Sequence, residues 1–329
     1  MKDRKAVSRF GSRSAVRLAD LALLVRAPAA LSVPGDVIAG AAAAGRPLGA
    51  RTFGIIGSSV CLYWAGMALN DYADATVDAV ERPDRPVPSG RVPRRTALAV
   101  AGGLTAAGLG LAAAAGGRRS LAAALPLTGL VWAYDLKLKS TPAGAAAMAG
   151  ARTLDVLAGA LAAGTAHGSS SNVSAAVALR RGAVPAALVG AHTYTLTALS
   201  RHEISGAPAR LPATTLAVST ATALATALPA IRAGVSAGRG AATHRRTAFR
   251  TGLVAAGALA YLGTYGTAQA RAAREPSGEN VRRAVGAGIL GLMPLQAALT
   301  ARGGAPVVAA ALGAVHPLAR RLARRISPT

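Results

Sequence analysis

The chain alternates long apolar runs with short polar joints. The runs lie near 18–44, 53–70, 96–116, 120–135, 143–166, 182–199, 211–231, 248–270, 284–301 and 305–319. Most are about 15 to 25 residues long and carry few charges, which is the length and polarity of a helix crossing a hydrocarbon core. A soluble Ala-rich helical protein would need charged outer faces, and these runs lack them. The pattern predicts an all-α integral membrane bundle of nine or ten transmembrane helices. It divides into a basic arm over 1–17, a single membrane domain over 18–320 and a basic tail over 321–329. The first run reads as a retained span, because Arg26, Pro28, Pro34 and Asp36 interrupt it.

Composition sharpens this picture. The chain is 52% hydrophobic but only 3% aromatic, and it has 38 glycines. Small side chains let helix backbones approach closely in lipid, where no hydrophobic force drives helices together. The net charge of +24 would hint at nucleic acid in a soluble protein. Here the charge lies between the apolar runs, so the expected partner is anionic lipid and not nucleic acid. With the N-terminus placed in the cytoplasm, most of the 37 basic residues fall on cytoplasmic segments, as the positive-inside rule asks. Arg232, Arg239, Arg245, Arg246 and Arg250 fit that rule poorly, since they would face outward. Cys61 is the single cysteine, so no intrachain disulfide exists.

The candidate chemistry sits at the end of the second run. Asn70-Asp71-Tyr72-Ala73-Asp74-Ala75-Thr76-Val77-Asp78 is followed by Glu81-Arg82-Pro83-Asp84-Arg85-Pro86. Five acids fall between 71 and 84, in a chain with 13 acids in all. Helical spacing puts Asp71, Asp74 and Asp78 on one face, where they repel one another unless a cation lies among them. Hard oxygen ligands suit Mg²⁺, which keeps some waters and takes oxygens from a bound phosphate. Arg82 and Arg85 follow, and guanidinium forks match phosphate oxygens. The stretch therefore reads as a Mg²⁺–diphosphate site at the polar end of a helix. Pro83, Pro86, Pro88 and Pro93 predict a stiff, largely non-helical loop to Arg95.

The pattern N-D-x-x-D-x-x-x-D, R-P-x-R-P and Pro88-Ser89-Gly90 resembles the UbiA superfamily of integral-membrane prenyltransferases. The likeness extends more loosely from Leu24 to about Arg210. It implies a Mg-dependent enzyme that moves a prenyl group from an isoprenoid diphosphate to an aromatic or other lipophilic acceptor. Asn70, Asp71, Asp74 and Asp78 would hold Mg²⁺. Arg82, Arg85 and Lys139 would neutralise the diphosphate, and the isoprenoid tail would lie between helices. Tyr134 and Lys139 match the family's Tyr-containing basic segment after the fourth span. Arg152-Thr153-Leu154-Asp155 resembles a signature of the fifth span, and an Arg–Asp pair at i, i+3 is expected there. Arg26 is placed either in the diphosphate pocket or snorkelling at the cytoplasmic end. The second acidic motif of most members is reduced to Ser200-Arg201-His202-Glu203, which resembles a bacterial, EboC-like subgroup. Glu203 would hold metal alone, or Arg201 would replace a cation. A bacterial cytoplasmic membrane, with the site facing the cytoplasm, is the implied location.

A non-catalytic relative that binds or carries an isoprenoid or lipid phosphate is the alternative, supported by the reduced second motif. A CDP-alcohol phosphatidyltransferase is disfavoured, because no Gly-x-x-Ala-Arg follows Asp74. His167 and His192 lack metal-ligand spacing and read as structural. Gln296 is the one strongly polar interior residue of the last third.

Overall fold

The computed structural model describes residues 16–162, 173–236 and 241–326, and among them every regular element is helical. The first apolar run is broken into α1 (Leu18–Leu24), a 3-10 turn over Ala27–Ser32 and α2 (Val33–Ala43). Each of the last two pieces begins with a proline in its first turn, where the missing N–H costs no helical bond. Arg26, at the α1 break, has φ 47° and ψ 52°. It is the one non-glycine in the left-handed region among the described residues, a conformation most side chains resist.

α3 (Ala50–Ala73) carries the second run and α4 (Ala75–Glu81) continues from it. Asp74 joins them with φ −88° and ψ 5°, so the helix is interrupted at the middle aspartate. The expected single face of Asp71, Asp74 and Asp78 is corrected accordingly: Asp71 and Asp78 are buried together and Asp74 points elsewhere. The proline-rich loop is non-helical only after Glu81. It turns tightly back to α5 (Arg94–Ala133), with Val92 N bonded to Pro86 O.

α5 unites the third and fourth runs. It breaks at Gly116 and Gly117, where Gly117 adopts φ 57° and ψ −142°, open to glycine and strained for other residues. A π turn over Tyr134–Leu138 leads to α6 (Gly144–Leu161), α7 (Ala175–Ser200), α8 (Arg210–Ser236) and α9 (Ala241–Tyr261). A second π turn over Leu262–Gly266 then leads to α10 (Thr267–Arg274), α11 (Gly278–Arg302) and α12 (Pro306–Ile326). Each of the ten apolar runs thus has a helical counterpart. Among the described residues, Ala50–Ala73, Arg94–Leu138, Arg210–Gly234 and Gly278–Arg302 are long and apolar enough to cross a membrane; Val33–Ala43 and Pro306–Pro317 are shorter apolar helices. The chain is a multi-pass membrane bundle.

α3 lies along α5, α6 along α7 and α2, and α11 along α9, α12, α7 and α2. The α2–α6 contact is backbone to backbone. A Cβ on Gly40 would lie 1.8 Å from Val156 O, and one on Gly159 would lie 2.0 Å from Val37 O. Only glycine permits that approach, the small-residue packing expected in lipid. α3 has 24 residues, so its two ends are about 36 Å apart. The aspartates stand at one end with the Tyr134–Ala143 turn, the Ser200–Arg210 connection and the start of α11. The joint between α2 and α3, the Gly116–Gly117 break and the α11–α12 joint stand at the other.

Candidate functional site

The C-terminal turn of α3 presents Asp71 to the start of the chain. Arg26, held in its left-handed turn, donates from Nη2 to Asp71 Oδ1 at 3.0 Å and from Nη1 to the Met67 sulfur at 3.3 Å. The proline-rich turn brings Arg85 back over both buried acids. Its Nη1 lies 2.6 Å from Asp78 Oδ2 and 3.5 Å from Asp71 Oδ1. Arg82 is 3.6 Å from the other Asp78 oxygen. Asp71 and Asp78 are each about 1% exposed, and burying two carboxylates this closely is tolerable only because guanidinium groups stand between them. Asp74, turned aside, pairs with Lys139 Nζ at 2.5 Å. Three carboxylates therefore meet four cations, and all four cations come from outside α3 and α4.

The turn that holds Arg85 is itself fixed. Arg91 spans from Asp20, 3.1 Å from Nη1, to the Asp84 carbonyl at 2.5 Å. Arg94 donates to Tyr72 O at 3.0 Å and lies 4.5 Å over the Tyr72 ring.

Beneath this cluster lies a partly open chamber of about 90 Å³. Leu62, Val131 and Leu127 contribute apolar wall, and Tyr134 and Asp135 stand at its upper end. Asp135 Oδ1 accepts from Asn70 Nδ2 at 3.3 Å. Gly66 leaves space beside the same carboxylate: a Cβ there would lie 3.4 Å from Asp135 Oδ2. The floor is polar. Ser59 donates to Asp155, and Arg152 lines the chamber beside them. Arg152 Nε is 2.8 Å from Asp36 Oδ2, and Gln296 Nε2 donates to Asp36 Oδ1 at 2.6 Å and to Ser32 O at 2.8 Å. The expected Arg152–Asp155 pair is therefore corrected: Asp36 of α2 lies closer to the guanidinium, and Asp155 turns to Ser59. Below that floor, Val37, Ile55, Ala158 and Leu161 form a closed core.

Of the residues singled out in the sequence, Asp71, Asp78, Arg82, Arg85 and Arg26 come together, Asp74 and Lys139 stand beside them, Tyr134 and Arg152 line the chamber, and Asn70 meets it only through Asp135. Arg201 lies outside this group; it donates to the carbonyls of Thr141 at 2.7 Å and Ser140 at 3.5 Å, fixing the turn after Lys139. Glu203 is half-buried. Burial pushes its carboxyl above the usual range, against the pull of Arg282 and Arg82. Among the described residues, no group of three or more His, Cys, Asp or Glu side chains is placed to hold a metal ion. Mg²⁺ asks for less, since one or two carboxylates suffice when phosphate oxygens and waters complete the shell. Asp71 and Asp78, already converging on one cationic nitrogen, fit that need.

Sequence reasoning missed Asp135, which lies in the quoted Tyr134–Lys139 segment. Its signal was an acid at the end of an apolar run, where charge is costly and faces a cavity. His192 is fully buried, with Nδ1 3.1 Å from the Tyr261 hydroxyl, in keeping with a structural role. His167 lies outside the described residues.

The fold and site are those of a polytopic helical membrane bundle with an acid–arginine cluster at one end and an apolar chamber beneath it. The sequence profile of the UbiA prenyltransferase family matches residues 32–277, and the chain belongs to that family. It is 45% identical over 110 residues to digeranylgeranylglyceryl phosphate synthase of Methanopyrus kandleri, which covers 33% of this chain and 38% of that protein. It is 39% identical over 118 residues to the enzyme of the same name from Ignicoccus hospitalis, covering 36% and 38%. The alignments thus span under two fifths of these archaeal relatives. Among solved structures, a digeranylgeranylglyceryl phosphate synthase aligns with a TM-score of 0.57 at 16% identity, over 88% of this chain and 98% of that one. A UbiA homologue from Archaeoglobus fulgidus, bound to DMAPP and Mg²⁺, aligns with a TM-score of 0.54 at 16% identity, over 83% and 99%. These likenesses establish the fold. The likeness to an EboC-like subgroup rests on Arg201 and Glu203 alone.

Proposed function

We propose that the protein is a Mg-dependent intramembrane prenyltransferase that moves a prenyl group from an isoprenoid diphosphate to a lipophilic acceptor. The observation that carries this reading is the joining of a seven-charge cluster to an apolar chamber directly below it. The one polar end and one apolar path match the two halves of a prenyl diphosphate. The relatives' name and the DMAPP and Mg²⁺ of the Archaeoglobus homologue point to the same substrate class.

Asp71 and Asp78 would hold Mg²⁺, with Asp74 and Glu203 completing its surroundings. When bound, the cation adds charge neutralisation on the departing diphosphate. Arg82, Arg85, Arg26 and Lys139 take the diphosphate oxygens, where negative charge grows as the bond from oxygen to prenyl C1 breaks; Arg201 holds the turn that aims Lys139. Preset donors of this kind act most strongly on charge that develops in the transition state. Leu62, Leu127 and Val131 keep water from the allylic cation, and the acceptor attacks C1 beside Tyr134 and Asp135. The tail descends to the Arg152–Asp155–Ser59 floor. The site faces the cytoplasm, the side favoured by the count of basic residues.

The reduced second motif favours a second reading, a carrier that binds the donor without turnover. Release of inorganic pyrophosphate separates the two. Purified protein with Mg²⁺, geranylgeranyl diphosphate and a membrane-lipid extract is expected to release it, and folded Asp71→Asn is not. Mg-dependent donor binding with no release by any prenyl diphosphate would establish the carrier instead.

A further inference from the structure

The end of the bundle opposite the aspartates carries a second cationic cluster with no acid paired to it among the described residues. Arg46 lies in the joint between α2 and α3, Arg119 just beyond the Gly116–Gly117 break, and Arg181 in the first turns of α7. Arg46 Nη2 donates to Val173 O at 3.1 Å and Arg119 Nη2 donates to the same oxygen at 3.3 Å. Two guanidinium groups thus share one neutral acceptor. Arg181 is close by, with its Nη1 3.8 Å from where a Cβ on Gly45 would stand.

Like charges held this tightly normally enclose a counter-charge. Here none is supplied by the described residues. No Asp or Glu occurs between Asp36 and Asp71, between Asp84 and Asp135, between Asp155 and Glu203, or between Glu203 and Glu275. Every joint at this end falls in one of those stretches or beyond Glu279, and none of the three arginines joins an ion pair among the described residues. Arg46 is only 9% exposed. Its Nε and that of Arg119 are buried without a hydrogen-bond partner, each a donor left costly by desolvation. Burial and the charges of Arg119 and Arg181 both push the Arg46 guanidinium below its ordinary value. A guanidinium does not escape by losing its proton, so the arrangement stays charged and short of acceptors.

Arg46 also lines an open cleft of about 390 Å³, whose other walls include Ile38, Ala42, Leu48 and Val308. Buried cationic donors beside an apolar wall match a phosphate ester carrying hydrocarbon chains.

We propose that Arg46, Arg119 and Arg181 form a phosphate-binding site at the end of the bundle remote from the aspartates, and that it takes the headgroup phosphate of an anionic membrane lipid, with acyl chains along the Ile38–Val308 cleft. The site is independent of the prenyl-transfer reading. It also accounts for arginines at an end where the positive-inside rule does not expect them.

The test is native mass spectrometry of the full chain, delipidated in detergent and titrated with dioleoyl phosphatidylglycerol. Inorganic phosphate is titrated in a parallel thermal-shift arm. Wild-type protein is expected to keep a bound phosphatidylglycerol that Arg46→Gln and the surface variant Arg181→Gln each weaken at least tenfold. Arg82→Gln, in the opposite cluster, is expected to keep that lipid. Stabilisation by inorganic phosphate alone, lost in the same two variants, would support the site and assign it to a free anion. Equal lipid and phosphate binding by wild type and folded Arg181→Gln, or none by wild type, would overturn it.

Discussion

Arg85 stands between Asp71 and Asp78, where the proposed site would hold Mg²⁺, and Lys139 and Arg26 hold Asp74 and Asp71 in the same way. Mg²⁺ must therefore displace cations from the carboxylates, and a diphosphate gives those cations somewhere to go. Each ligand should strengthen the other by the same factor, since coupling free energies are reciprocal. Calorimetry is expected to show Mg²⁺ binding weakly alone and about 5- to 150-fold more tightly with inorganic pyrophosphate present. Arg85→Gln should tighten Mg²⁺ alone and weaken pyrophosphate. Equal Mg²⁺ affinity with and without pyrophosphate would contradict this exchange. The acids and arginines of this site were legible in the sequence because they are crowded into one stretch. Their partners were less so. Arg26 and Lys139 were recognisable as basic residues near apolar runs, but the Asp36–Arg152–Gln296 contact joins residues up to 260 positions apart. Local spacing instead suggested Asp155 for Arg152.

At the scale of elements, apolar runs forecast helices well because lipid demands that backbone groups pair within the segment. They also forecast the breaks near Arg26 and Gly117, where charge and proline interrupt the first run and a polar gap divides the third from the fourth. The break at Asp74 they did not forecast, because the helical spacing of the aspartates reads as continuous. The α2–α6 contact makes a sharp prediction. Gly40→Val drives a side chain into Val156 O, and overpacking costs typically about 1–3 kcal/mol. Gly102, whose added Cβ would meet nothing within 4 Å, is the control. Gly40→Val is expected to lower the thermal midpoint clearly in detergent and Gly102→Val to change it little; equal midpoints would refute the close approach. The same contact closes the chamber from below. From Asn70 to Ser59 is eleven residues of α3, or about 16 Å. Leu62→Trp, filling the chamber midway, is expected to shift donor preference toward shorter prenyl diphosphates; an unchanged preference would mean the tail leaves sideways between helices.

For the molecule as a whole, charge is divided by depth. One end of the bundle mixes acids with bases, the middle holds a polar layer in which Asp36 pairs with Arg152 and Gln296 and Asp155 with Ser59, and the far end, among the described residues, holds arginines without acids. Net charge and composition announced a membrane partner, yet only the assembled helices sort those charges into two ends. The family is fixed by the match over residues 32–277, while the acceptor depends on a chamber wall drawn from several helices, which no single stretch of sequence describes. The measurement that bears most directly on the whole account is transfer of label. Radiolabelled geranylgeranyl diphosphate is given to the purified protein with Mg²⁺ and a membrane-lipid extract. Label is expected in a new lipid-soluble product, absent with EDTA and absent in Asp71→Asn. Label that stays in the donor across the full series of prenyl diphosphates, with the wild-type protein folded, would contradict the prenyltransferase reading.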